Sequence, residues 1–160
     1  MTDMNALNLM TMALWLLGAP FSATFPENLS ANPHTIAKID AFIAPRAYSA
    51  SVMHWASYYG VPLDIAVRLA YEESRWDENA MHRNRNGTYD HGLYQLNSRY
   101  YRVGGPGRDI RLGLGHLASM YRITGTWRKA VIAYNAGASR VLNPPASSHR
   151  LADRVVGGGL

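Results

Sequence analysis

Cysteine is absent from the chain, which excludes a disulfide scaffold, a thiolate zinc site and a cysteine nucleophile together. Charged residues are scarce at 17%, while apolar ones reach 48%. That balance offers enough hydrophobic surface to offset chain entropy, so the bulk of the chain is expected to be globular. The length of 160 residues fits one compact domain and argues against a two-domain cofactor enzyme. Metal-ligand spacing is missing too, since His82, His91 and His116 have no i,i+4 partner and no neighbouring acid at ligand spacing. They read as surface or loop histidines, and neither a metal nor a cofactor is expected. Gly104-Gly105-Pro106-Gly107 is followed by no lysine or serine, so it reads as a plain loop and not a phosphate cradle.

Basic residues are missing from the first 37 positions, and the apolar stretch Leu7 to Leu17 is too short to span a bilayer comfortably. It has the length of a signal-peptide hydrophobic region, with Gly18, Ala19, Ser22 and Ala23 behind it. Asp3, however, stands where positive charge is usual. The stretch reads either as a degraded or misstarted export signal or as an N-terminal segment packed on the domain. Phe25 to Pro33 reads as a linker. The expected division is an apolar leader and linker over 1–33 and a folded domain over 34–160. Overall, 16 Lys+Arg against 11 Asp+Glu give +5, nearly all of it on arginine, which suits an anionic polymer or surface.

From residue 35 on, the periodicity is helical. Val52, Trp55, Ala56 and Tyr59 recur at i, i+3, i+4, i+7, with Ser49 or Ser51 as N-cap candidates and Gly60 as the stop. A second helix is expected over Leu63 to Ser74, a third over Asp109 to Ile123, and a fourth from Thr126 as N-cap to Gly137. At most one short helix, around His149 to Val156, is expected in the tail. Between the second and third helices, Asn84 to Asp90 carries Asn86-Gly87 at its middle, the signature of a small hairpin.

Two adjacent glutamates end the second helix. Glu72 follows Arg68 by four positions and reads as half of an exposed pair. Glu73 instead continues the apolar face of Ala66, Leu69 and Ala70. Burial and the negative end of the helix dipole both disfavour its ionisation, as suits a carboxylic acid that still holds a proton near neutral pH. The plainer alternative is a frayed helix end whose acid bends to solvent. Asp90, seventeen positions downstream, leaves the hairpin just before Gly92-Leu93-Tyr94-Gln95-Leu96-Asn97. It reads either as a turn residue accepting backbone N–H groups or as a second carboxylate across a cleft, the pairing used for glycoside cleavage.

Glu73-Ser74-Arg75-Trp76, Gly92-Leu93-Tyr94-Gln95 and Ala133-Tyr134-Asn135-Ala136-Gly137, in that order, resemble the three motifs of SLT-type lytic transglycosylases, bacterial enzymes of the lysozyme superfamily. The resemblance runs from about Ser49 to Val141, and Asn84 to Arg99 also looks like the active-site hairpin of c-type lysozymes. It implies a mainly α, lysozyme-like α+β domain with a small β-hairpin beside the active-site cleft. It further implies cleavage of the β-1,4 bond between N-acetylmuramic acid and N-acetylglucosamine, with a 1,6-anhydro product. Glu73 would be the acid/base. Ser74 and Tyr134 would supply hydroxyls near it, and the amides of Gln95, Asn97 and Asn135 would meet sugar groups. Tyr94, Trp76 and Tyr134 would offer ring faces to pyranoses, core packing being the alternative for each and the favoured one for Trp76 and Trp127. Most family members carry methionine at the Tyr94 position, so a bulkier and more polar groove floor is expected. The implied partners are peptidoglycan glycan strands and, by likeness to small specialised members, a secretion, conjugation or flagellar machine, with export to the periplasm.

Three rivals remain. Asp90 accords with a hydrolytic muramidase. A noncatalytic wall-binding or assembly module would keep the fold but would not need the acid together with Gln95, Tyr134 and Asn135. Arg83, Arg85, Arg99 and Arg102, interleaved with tyrosines, resemble a nucleic-acid groove, but they equally suit the acidic stem peptides of the wall, and no nucleic acid is expected.

Overall fold

A computed structural model of the chain describes residues 44–102 and 104–157. The expected leader and linker over 1–33, and the boundary at 34, lie outside the described residues. Five α-helices and three short strands make up what is described: α1 (Arg46–Tyr59), α2 (Leu63–Ser74), β1 (Met81–Arg83), β2 (Tyr89–His91), β3 (Leu96–Asn97), α3 (Pro106–Thr124), α4 (Trp127–Ala136) and α5 (Ala146–Val156). A 3-10 turn, Ala138–Arg140, joins the last two helices.

Local chemistry accounts for most boundaries. α1 ends at Gly60, whose left-handed φ of 68° is open to glycine at no steric cost. Its start differs from expectation. Pro45 is the N-cap, and Ser49 and Ser51 lie inside the helix, where Ser49 Oγ donates back to the Arg46 carbonyl. Helix α2 has the expected span, with Asp64 in its first turn favourably placed against the dipole. Helix α3 begins three residues early because Pro106 takes the first helical position, where its fixed φ is pre-organised and its missing N–H costs nothing. Only Gly104 and Gly105 of the expected Gly-Gly-Pro-Gly loop stay outside. Thr126 Oγ1 accepts from the Lys129 amide as the N-cap of α4. Helix α5 starts at Ala146, ahead of the expected His149, and buries Ser148, Leu151, Ala152 and Val155 along one stripe.

Helix α3 packs on both α1 and α4, while α5 lies against α4 and α2. The core gathers Val52, Leu69, Leu93, Tyr94, Ile110, Leu114, Leu117, Val131 and Val155, each fully buried. The strands form one antiparallel sheet in the order β1-β2-β3, with His82 opposite Asp90 and Asp90 opposite Asn97. The expected hairpin is therefore two strands of three. Its connection runs through residues 84–88, where Gly87 takes a φ of 83° and its amide bonds the Asn84 carbonyl. The third strand was not foreseen, because two residues are too few to show a period.

Tyr94 sits at the centre of this packing. Its ring lies so close to Gly113 of α3 that a Cβ there would overlap it, and its hydroxyl donates to the Ala66 carbonyl of α2 at 3.0 Å. Gly113→Ala tests the contact. Alanine normally stabilises a helix interior by up to about 1 kcal/mol over glycine, but here overpacking should reverse the sign. A loss of about 1–3 kcal/mol is expected in chemical denaturation followed by circular dichroism.

Candidate active site

Glu73 occupies the last turn of α2, and the chain leaves that turn through two consecutive residues of positive φ, Arg75 at 56° and Trp76 at 65°. Non-glycine residues pay a conformational cost there, and such strain persists only where the surroundings over-determine it. Trp76 stacks on Tyr48 with ring centroids 6.2 Å apart, and it packs against the core as expected. Its indole N–H is buried with no hydrogen-bond partner among the described residues.

The segment Gly92 to Gln95 closes against the end of α2, and its main-chain polar groups are paired. The Gly92 amide donates to the Ala80 carbonyl at 2.9 Å. The Leu93 carbonyl lies 3.0 Å from Ser74 Oγ, which also lies 3.1 Å from the Ala70 carbonyl. The Tyr94 carbonyl accepts from the Tyr134 hydroxyl at 2.6 Å. The Tyr94 amide donates to Asp109 Oδ2 at 3.2 Å, and the Leu93 amide bonds the same carboxylate. Burial raises the pKa of Asp109, while these amides and the nearby His91 pull it down. Gly92 is required twice over. Its φ is +76°, and a Cβ would run into the Asp109 carboxylate.

Across from the helix end, Asp90 sits in the middle strand, and its Oδ1 accepts from Asn97 Nδ2 at 2.7 Å. Asn97 also reaches Thr88 Oγ1, and its own Oδ1 accepts from the Arg99 amide. The two carboxyls are close enough to interact. Glu73 is pushed up to about 7, first by burial, then by the negative charge of Asp90, then by that of Glu72. Tyr134 is raised well above its ordinary value, first by burial and next by the negative charge of Glu73.

The structure thus brings Glu73, Asp90, Asn97 and Tyr134 to one place and assigns several other candidates differently. Tyr94 has 0% exposure, so its ring is a core element and does not floor a saccharide groove. Ser74 and Tyr134 direct their hydroxyl protons to main-chain carbonyls and not to Glu73. Gln95 spends its amide protons on the Ala80 and Gly92 carbonyls, leaving its oxygen as the end that can accept. Asn135 Oδ1 accepts from the buried Ser148 at 2.6 Å, toward α5. Glu72 is not exposed as expected. Its side chain is 5% exposed and pairs with Arg154 at 2.7 Å and Arg75 at 3.7 Å. His91 is buried in β2. His116 is half-buried in α3, its Nδ1 3.1 Å from the Tyr101 hydroxyl, and burial lowers its pKa. Sequence reasoning missed Asp109 and Arg154 as parts of the site's support. Asp109 had a signal in its place beside Ile110 at a helix start, whereas Arg154 had none.

Glu73 lines neither of two cavities among the described residues. One of about 440 Å³ lies between Tyr58, Tyr121 and Trp127, and one of about 200 Å³ between Glu78, His91, Gly92 and Asp109. Glu73 stands in the last turn of α2 and is half-buried. Among the described residues, no cluster of three His, Asp or Glu is arranged to hold a metal ion.

Comparison with known proteins agrees with this layout. No curated protein matches the chain. Among solved structures, an inactive mutant of the lytic transglycosylase Slt from Pseudomonas aeruginosa superposes with a TM-score of 0.57 at 21% identity, over 69% of this chain and 23% of that one. This chain therefore spans less than a quarter of that enzyme's length, and the likeness establishes a lysozyme-like α+β fold. The model of the transglycosylase SLT domain matches residues 50–156, from within α1 to the last residue of α5. With the three motifs converging on the end of α2, the chain belongs to the transglycosylase SLT domain family.

Proposed function

We propose that this protein is a peptidoglycan lytic transglycosylase that cleaves the β-1,4 bond between N-acetylmuramic acid and N-acetylglucosamine. The observation that carries the reading is Glu73, a half-buried acid at the end of α2 whose carboxyl is raised to about 7 by burial and by the charge of Asp90. A group poised near the working pH can donate and then accept a proton. Protonated Glu73 gives its proton to the leaving glycosidic oxygen as the bond to C1 breaks. The 2-acetamido group supports the cationic centre. The muramyl C6 oxygen then closes on C1, its proton returns to Glu73, and no water is consumed. Peptidoglycan as substrate places the action in the periplasm or cell envelope, after export, and fits service to an envelope-spanning machine. Fractionation of expressing cells tests that placement.

One observation favours a second reading. Asp90 is held by Asn97 at 2.7 Å and acts electrostatically on Glu73, as a second carboxylate would in a hydrolytic muramidase. Mass spectrometry of released muropeptides separates the two, because anhydro and reducing ends differ by one water. Anhydro ends with only a mild loss in Asp90→Asn are expected. Reducing ends with complete loss in that variant would establish hydrolysis.

Purified protein is expected to clear peptidoglycan suspensions, with activity declining as pH rises through about 7, where Glu73 loses its proton. Glu73→Gln should abolish clearing, a loss of at least about 100-fold, and retained clearing would refute the assignment. The same carboxyl links stability to pH. Its folded pKa lies above its unfolded one, so the contribution to stability is full below about 4.5 and is lost as pH rises through about 7. Glu73→Gln should therefore raise the melting temperature more at pH 8 than at pH 5, with a difference of up to about 3 kcal/mol, read by parallel thermal melts.

A further inference from the structure

The contact between α2 and α5 contains an ion pair that acid/base chemistry at Glu73 does not itself require. Arg154 Nε donates to Glu72 Oε2 at 2.7 Å, across 82 positions of sequence. Only 5% of the Glu72 side chain remains exposed, and a carboxylate so enclosed depends on a charged partner. Arg75 is the weaker of these two arginine partners. It stands 3.7 Å away, and its guanidinium lies over the Tyr71 ring, 4.1 Å from the centroid. Glu72 is the chain neighbour of Glu73, and its negative charge bears on it. The other titratable groups at Glu73 are Asp90 on β2 and Tyr134 on α4. One layer out, α3 supplies Asp109, whose charge bears on Tyr134, and His116, whose ring is 5.0 Å from that of Tyr134.

We propose that Arg154 is a positioning residue for Glu73, acting through Glu72: its guanidinium holds and neutralises the adjacent carboxylate, so that the C-terminal helix sets both the placement of the acid and the negative charge it faces. This rests on the reading of Glu73 as the acid/base. Helix α5 already docks through Leu151, Ala152 and Val155, so Arg154 is not needed to bury that stripe. What it adds is a positive charge held against Glu72.

The test is a set of four variants, Arg154→Ala, Arg154→Lys, Glu72→Gln and the double Arg154→Ala/Glu72→Gln. Glu73 is titrated directly by carbon NMR of the labelled carboxyl, assigned by its disappearance in Glu73→Gln. Arg154→Ala should move the midpoint up by roughly 0.5 on the pH scale, a modest value because Arg154 is half exposed. Arg154→Lys should restore most of it. Glu72→Gln should move the midpoint down, and the double variant should return it close to the original, with the basic limb of the pH–rate profile following in each case. Thermal melts identify any variant that fails to fold, and Glu72→Gln, being isosteric, keeps the experiment decisive if Arg154→Ala is lost. An unmoved midpoint throughout would overturn the proposal, as would Arg154→Ala and Glu72→Gln moving it in the same direction. Wild-type protein without turnover would sink the transglycosylase reading, while the NMR midpoints would still decide this one.

Discussion

The segment Gly92 to Gln95 has to run against the end of α2 with its backbone polar groups shut away from water, and the rest of the site is arranged around that requirement. Each buried N–H or C=O left without a partner costs on the order of 1–3 kcal/mol. Ser74 answers for Leu93, Tyr134 for Tyr94, and the Asp109 carboxylate for two amides. Residues that resemble sugar ligands in the sequence are therefore largely structural in the fold. Their hydroxyls and amides hold a tight loop between β2 and β3 against the end of α2.

The electrostatic character of the site follows from the same arrangement. Burial disfavours the charged form of Glu73, and the negative charge of Asp90 on β2 adds to that. A proton is thereby retained to about 7 by an acid that solvent would hold ionised from about 4.3. Asp109 performs a different task with the same functional group. It is satisfied by main-chain amides and so acts as a cap. Three carboxyls within one small region thus differ in role because they differ in partners: Glu72 has arginine, Asp109 has peptide N–H groups, and Glu73 has neither.

Helix positions were largely legible, because a 3.6-residue apolar period together with glycine and threonine caps is local information. The α2 and α4 spans, the Gly60 stop and the hairpin around Gly87 all rest on such signals. The starts of α1 and α3 were misplaced because Ser49 and Asp109 resemble caps, while Pro45 and Pro106 initiate the helices by fixed φ. For Tyr94, of the two readings of its ring, groove floor or core, the structure takes the core, because the empty space at Gly113 admits the ring there.

The sequence by itself determined that a small, cysteine-free helical domain carries an acid on the apolar side of a helix end, because side-chain direction along a helix follows from spacing alone. It also supplied the three motifs in order, which place the chain in its family. Tertiary structure alone decided which carboxylate Arg154 pairs with, where the hydroxyl protons of Ser74 and Tyr134 go, and that the charge of Asp90 bears on Glu73. Those outcomes depend on distances between groups far apart in the chain, and a charge or a hydrogen bond responds to distance in space, not to separation in sequence.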